Sequence, residues 1–193
     1  MKSLAEILAI LLHPIARLHL IVAKLPTRFW RLISLRAQAV GHIPATTQFD
    51  GPVHAINRPK ITMGDQCRIG RNVQFETSGH GEIKIGSRVR INTGCVLVSN
   101  ASILVGDDSL IGEYVSIRDA DHGIVSGQLV RTQAQVTSAI SIGCGVWIGR
   151  GSCILRGVRI GDGAVIGANS VVTHDVDENS VYAGTPARRI RVR

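Results

Sequence analysis

Aromatic side chains are scarce in this chain: two Trp, two Tyr and three Phe among 193 residues, 4% in all. So few rings argue against an aromatic-centred core and suit thin, repeated layers of Ile, Val and Leu. The four cysteines, Cys67, Cys95, Cys144 and Cys153, form no C-x-x-C pair. A zinc ribbon or thioredoxin-type site is therefore not expected, and reduced thiols suit a cytoplasmic protein. The histidines show no i, i+3, i+4 or i+5 pairing, so a local zinc motif is absent and no metal is expected. Lysines never run together, and basic residues do not interleave with aromatics. The net charge of +8 thus points away from nucleic acid, toward a membrane surface or a phosphate-bearing small molecule.

No apolar stretch is long enough to span a bilayer. Glu6, Pro14 and Arg17 interrupt the first one within the ~20 residues that a span requires. Lys2 and the run from Ile7 to Leu12 resemble the start of a signal peptide, yet no small-residue cleavage site follows. Lys2, Glu6, His13, Arg17, Lys24, Arg28 and Arg31 fall on one side of a helical wheel. Pro14 and Pro26 divide the segment into two or three short helices. Two readings stay open: the apolar face packs on the protein, or residues 1–40 lie in a membrane interface with the basic stripe toward anionic headgroups.

What the chain does have is an aliphatic ladder with a period of six. Met63, Ile69 and Phe75 are followed by Ile85, Ile91 and Leu97, then by Val105, Ile111 and Ile117. The ladder resumes with Ile142, Ile148 and Ile154, and ends with Ile160, Ile166 and Val172. Neither a helix nor a simple strand repeats every six residues. The pattern predicts a solenoid whose coils hold three short strands each, and no coil can bury its apolar face alone. Glycine follows the first ladder residue of every coil (Gly64, Gly86, Gly106, Gly143, Gly161). It follows the second in all but one (Gly70, Gly112, Gly149, Gly167). The exception is Asn92, a turn residue by one reading and a functional amide by another. Residues 46–62 are expected to hold a poorly patterned first coil. The chain then divides into a helical segment 1–45, a solenoid 46–182 and a basic tail 183–193.

Between Ile117 and Ile142 the ladder breaks for a coil's length. The polar insertion, residues 119–139, is expected to project outward and to serve function rather than stability. At its base stands His122, flanked by Asp119 and Asp121. A histidine anchored at a strand end suits proton transfer near neutral pH, and either carboxylate could orient its ring. A solvated loop histidine fits the spacing equally well.

The repeated [Ile/Val/Leu]-Gly-x-x-[small]-x unit through Val105–Ser116 and Ile142–Val171 resembles the hexapeptide-repeat acyltransferases. The strings Val146-Trp147-Ile148-Gly149, Ile166-Gly167-Ala168-Asn169-Ser170-Val171-Val172-Thr173 and Ala183-Gly184-Thr185-Pro186-Ala187-Arg188 resemble the galactoside, maltose and polysaccharide O-acetyltransferase branch. The resemblance covers about residues 60–193. It implies an all-β fold, a left-handed parallel β-helix with an N-terminal helical segment and a protruding loop near 119–139. It also implies a homotrimer with sites between subunits and acetyl-CoA as acyl donor.

In that family a histidine at the root of the long loop is the general base, which corresponds to His122. An asparagine thirty residues upstream helps hold the acceptor, which corresponds to Asn92. Asp119 and Asp121 are candidates to assist there. Donor-lining positions correspond to Trp147, Gly149, Arg150, Ala168, Thr173, His174, Arg188 and Arg191. Arg150 stands where a small residue is common, and His174 replaces a frequent lysine. The expected activity is acetylation of a sugar hydroxyl in a surface polysaccharide or its lipid-linked precursor, at the inner face of the membrane. Acceptors such as a small free sugar or an amino or nucleotide sugar remain open. A silent scaffold or a γ-carbonic-anhydrase-like trimer is a remote alternative.

Overall fold

The computed structural model describes residue 27 and residues 29–193. The amphipathic stripe expected from Lys2 to Lys24 lies outside the described residues, as does Arg28.

Strands of two to five residues stack in parallel to form three faces of a left-handed β-helix. Sheet one is built on Gln48–Phe49, Arg68–Ile69, Arg90–Ile91, Leu110–Ile111, Trp147–Ile148 and Val165–Ile166, and is completed by Ser180–Gly184 and Ala187–Val192. Sheet two stacks Val53–Ile56, Val73–Thr77, Val96–Ser99, Ser116–Arg118, Cys153–Ile154 and Val171–Val172. Sheet three stacks Ile61–Met63, Ile83–Ile85, Ile103–Val105, Ile140–Ile142 and Arg159–Ile160.

The ladder sets the register. Ile69, Ile91, Ile111, Ile148 and Ile166 pair in line on sheet one. Phe75, Leu97, Ile117, Ile154 and Val172 do so on sheet two, and Met63, Ile85, Val105, Ile142 and Ile160 on sheet three. All fifteen are buried, none more than 4% exposed. Each removes a whole aliphatic or aromatic side chain from water, roughly 1.5–3 kcal/mol apiece.

One coil precedes the five patterned ones, where a poorly patterned coil is expected over residues 46–62. Phe49 pairs with Ile69 and Ala55 with Phe75, and Met63 N donates to His42 O at 2.8 Å. Ile43 and Phe49 are buried, at 2% and 1% exposure. The ladder therefore starts at Ile43, two residues inside the segment expected to be helical. Helix occupies 29–38 and seats Leu32 and Leu35 on the open end of this coil. Arg36 Nε donates to Ile43 O at 2.8 Å and ties the helix to the first coil. At the other end the chain folds back. Ala187–Val192 runs antiparallel to Ser180–Gly184, so the expected basic tail is an ordered edge strand.

The repeated glycines answer to close approach rather than to positive φ. A Cβ on Gly112 would lie 2.6 Å from Arg150 N, and one on Gly149 would lie 2.6 Å from Ala168 N. At this corner the next coil's backbone fills the place of a side chain. The column runs Asp50, Gly70, Asn92, Gly112, Gly149, Gly167, Ala183, so its end coils depart from glycine as Asn92 does. The left-handed backbone falls two residues later, at Asn72, Gly94, Tyr114, Gly151 and Asn169.

Residues 119–139 leave the stack as an antiparallel hairpin. Ala120–His122 pairs with Gln135–Thr137, and His122 stands opposite Gln135. The tip is held by Gln133, whose Oε1 accepts from Val125 N at 2.8 Å.

Candidate active site

The expected site residues divide between two corners of the β-helix and one face. The corner between sheets one and two carries Asn92, Gly149, Arg150 and Ala168. The corner between sheets two and three carries Asp119, Asp121 and His122 in one coil, with Thr173 and His174 two coils above. The strands of sheet two separate these corners. At ~3.3 Å per residue, the six or so residues from Asn92 to the loop corner span about 20 Å. One copy of the chain thus does not bring Asn92 to His122.

At the loop corner, His122 is exposed, and no hydrogen bond to its ring is present among the described residues. Asp121 is held by Arg156, with Nε to Oδ2 at 2.7 Å. Asn100 Nδ2 donates to Gln135 Oε1 and joins the hairpin to the coil below. Thr173 Oγ1 lies 2.8 Å from His174 Nδ1.

Asp119 does not face an acceptor. Its side chain is fully buried. Ser99 Oγ donates to its Oδ2 at 2.7 Å, Ala101 N to the same oxygen at 3.0 Å, and Asn100 N to Oδ1 at 2.7 Å. A carboxylate accepting a hydroxyl and two backbone N–H groups has used three of its roughly four lone-pair sites, and full burial keeps the remainder from an acceptor. Asp119 fastens the root of the hairpin to the turn below it, and no bond runs from it to the His122 ring.

At the corner between sheets one and two, Asn92 is half-buried. Its Oδ1 accepts from Arg90 Nε at 3.1 Å, which leaves the amide N–H groups as donors. Of the N–H groups from Trp147 to Arg150, those of Trp147 and Gly149 donate to Ala164 O and Ile166 O. The Arg150 N–H donates to no carbonyl among the described residues.

The outer face of sheet one runs up to the corner that carries Asn92. Its outward column, in register, reads Gln48, Arg68, Arg90, Leu110, Trp147, Val165, Val181. The lower coils present cations and the upper coils present apolar side chains. Leu110, Trp147, Val165 and Val181, with Arg191 and Arg193 at one end, line a groove of about 800 Å³. Trp147 is 54% exposed there. A long ligand that is apolar along its length and anionic at one end fits such a surface. Arg188 pairs with Ala183 at the rim of the same sheet. Among the described residues, no group of three or more His, Cys, Asp or Glu side chains is placed to hold a metal ion.

Residues 139–174 match the family model for the bacterial transferase hexapeptide, six repeats. Escherichia coli WbbJ, named a putative lipopolysaccharide biosynthesis O-acetyl transferase, is 32% identical over 148 residues, covering 72% of this chain and 76% of that protein. The chain belongs to the hexapeptide-repeat acetyltransferases. The galactoside O-acetyltransferase of Lactococcus lactis is 33% identical over 142 residues, covering 74% of this chain and 68% of its own length. Among solved structures, a hexapeptide-repeat acetyltransferase of Vibrio cholerae complexed with acetyl coenzyme A superposes with a TM-score of 0.58 at 28% identity, over 84% of this chain and 75% of that one.

Two features of this acetyltransferase escaped the reading of its sequence. Residue spacing shows that Asn92 opens a corner and His122 lies beyond the next one, but not that a whole face separates them. Tyr114, at 58% exposure and with φ +59°, lies under the Arg150 guanidinium. Its signal was available: an aromatic residue where the other coils put Asn or Gly.

Proposed function

We propose that this protein transfers the acetyl group of acetyl-CoA to a sugar hydroxyl of a surface polysaccharide or its lipid-linked precursor. The observation that carries this is the pairing of an exposed, Trp147-floored groove ending in Arg191 and Arg193 with a histidine ridge bounding the adjacent face. The pantetheine arm suits the apolar column, and the phosphates suit the two guanidinia. Acetyl-CoA is the donor, as in the complex of the Vibrio cholerae relative. The names of WbbJ and the galactoside enzyme favour a sugar acceptor.

The working unit is a homotrimer. Asn92 and His122 meet only if one copy's loop corner faces the other corner of its neighbour. The hairpin also exposes Ile124 (85%), Val125 (61%) and Leu129 (64%), an apolar tip that a neighbouring copy covers. His122, neutral, takes the proton from the acceptor hydroxyl as that oxygen attacks the thioester carbon. The Arg150 N–H stabilises the oxyanion that forms. The C–S bond then breaks, and His122 returns its proton to the departing thiolate. Asn92 holds the acceptor, while Gly149 and Ala168 let the donor approach the corner closely. Thr173, His174, Arg188 and Arg191 serve the donor.

Residues 1–40 attach the trimer to the inner face of the membrane. Phe29 and Trp30 support this, at 62% and 67% exposure on the described helix. No helix among the described residues is long and apolar enough to cross a membrane. Liposome flotation of the full chain against a form lacking residues 1–40 checks the attachment, and equal partitioning of the two refutes it. For the reaction, the protein is incubated with labelled acetyl-CoA and a panel of cell-surface glycans, and products are read by mass spectrometry. Label on a glycan hydroxyl is expected. Label on free sugars alone would move the assignment to small-sugar acetylation.

A further inference from the structure

The corner that holds Asn92 also carries a stacked pair that the transfer reaction does not require. The Arg150 guanidinium sits 5.7 Å from the centroid of the Tyr114 ring, within the range of a cation–aromatic contact. Tyr114 keeps left-handed backbone, φ +59°, which is costly for a bulky residue and is tolerated where surrounding structure and function demand it. Its ring lies against Gly94, where a Cβ would come within 2.5 Å of ring carbon Cδ1. Arg150 thus reaches down one coil to Tyr114, and Tyr114 reaches down another to Gly94, two residues from Asn92.

Charge runs the same way. Arg90 donates to the Asn92 amide. Neither Arg90 nor Arg150 forms an ion pair among the described residues. Glu113 occupies the same corner position one coil below Arg150, yet Arg150 lies over the ring instead of pairing with it. Two uncompensated guanidinia therefore flank Asn92 from above and from the sheet-one side. They lie toward the cationic lower coils, away from Arg191 and Arg193 at the far end of the donor groove.

We propose that Arg150, held over the Tyr114 ring, and Arg90 together bind a phosphate on the acceptor, so that the preferred acceptor is a glycosyl phosphate or diphosphate rather than a neutral sugar. Guanidinium presents paired N–H donors that match a phosphate edge, and contact with the Tyr114 ring restrains those donors before the ligand arrives. This rests on reading the Asn92 corner as the acceptor side, and it moves Arg150 from donor to acceptor.

The test is direct binding, independent of turnover. Full-length protein is saturated with CoA, so that the donor phosphates occupy their own site. Galactose, glucose, mannose and N-acetylglucosamine are then titrated against their 1-phosphates by calorimetry. At least one 1-phosphate should bind roughly 10-fold or more tightly than its parent sugar. Arg150→Gln and Arg90→Gln should each remove most of that preference without altering CoA affinity. Tyr114→Asn adopts the residue found at the equivalent positions 72 and 169, so it keeps the backbone and removes the ring. It should lower the preference several-fold. No preference for any 1-phosphate overturns the proposal. So does a preference that survives in both arginine variants while CoA affinity falls. Failure to acetylate any glycan would sink the proposed reaction and leave this binding result standing; the reverse also holds.

Discussion

The two corners that flank sheet two use one repeat in opposite ways. The corner between sheets one and two is tight. Successive coils approach so closely that backbone replaces side chain, and Asn92, Glu113, Tyr114 and Arg150 stand among its small residues in the middle coils. The corner between sheets two and three is loose. It releases a hairpin, uses the buried Asp119 to anchor the root, and leaves His122 exposed on the stem. A tight corner fixes position and gives little room for chemistry; a loose one gives room and needs a fastening. In the proposed trimer, joining the two across a subunit boundary would combine a rigid acceptor seat with a histidine on a protruding arm.

Predictions that test this contrast begin with the largest. His122→Ala should lower kcat by about 10²–10⁴-fold with unchanged sedimentation, as expected for loss of a general base. Near-full activity would leave the loose corner without a chemical role. Mixing subunits tests the contrast more sharply. His122→Ala and Asn92→Ala homotrimers should each be impaired. Trimers reassembled from both should regain up to about a quarter of native sites, because some boundaries then pair an intact Asn92 with an intact His122. No recovery would place both residues in one subunit's site.

Stability should respond at both corners. Asp119→Ala leaves Ser99 Oγ and the N–H groups of Asn100 and Ala101 unpaired in a buried place, a cost of about 2–4 kcal/mol measurable by denaturant unfolding. Gly112→Ala puts a methyl 2.6 Å from Arg150 N and should cost about 1–3 kcal/mol by overpacking. The smallest effect is at Asp175, whose pKa is lowered first by the Arg159 backbone N–H and then by the Arg159 side chain. That contribution is present above the ordinary carboxylate pKa and is lost as pH falls through the lower folded value. Asp175→Asn should therefore lower stability slightly at neutral pH and converge on the native protein in acid, which flattens the acid limb of a denaturant-unfolding pH profile.

Much of the fold was legible because the ladder is a one-dimensional signal. Within each coil from Met63 to Val172, the ladder residue six positions on lands on the next face. The first coil was harder to see. Ile43, Phe49 and Ala55 keep the spacing, but Pro44 and Asp50 stand where glycine marks later coils, and Ala55 is a weak core signal. At the site, His122 and Asn92 stood out through position alone. The role of Asp119 did not, because spacing cannot tell a carboxylate that orients a histidine from one that fastens a turn. Burial decides between them, and burial here follows from Ser99 and Asn100 twenty residues back in the chain. The Tyr114–Arg150 stack was hidden for a similar reason: its members are thirty-six residues apart and become neighbours only when the hairpin is taken out of the count.

The fold-back of the last strand has a consequence for the protein among its own copies. A parallel β-helix has two raw ends, each a triangle of unpaired backbone groups that another copy could extend into a fibre. Here one end is plugged by the helix carrying Leu32 and Leu35. The other is partly closed by an antiparallel strand studded with Arg188, Arg189 and Arg191. A terminal strand of reversed direction and like charge repels a second copy that would continue the stack. The same arginines that suit the donor's phosphates thus keep the solenoid finite, and neutralising them would favour end-to-end polymerisation before it unfolded a single coil.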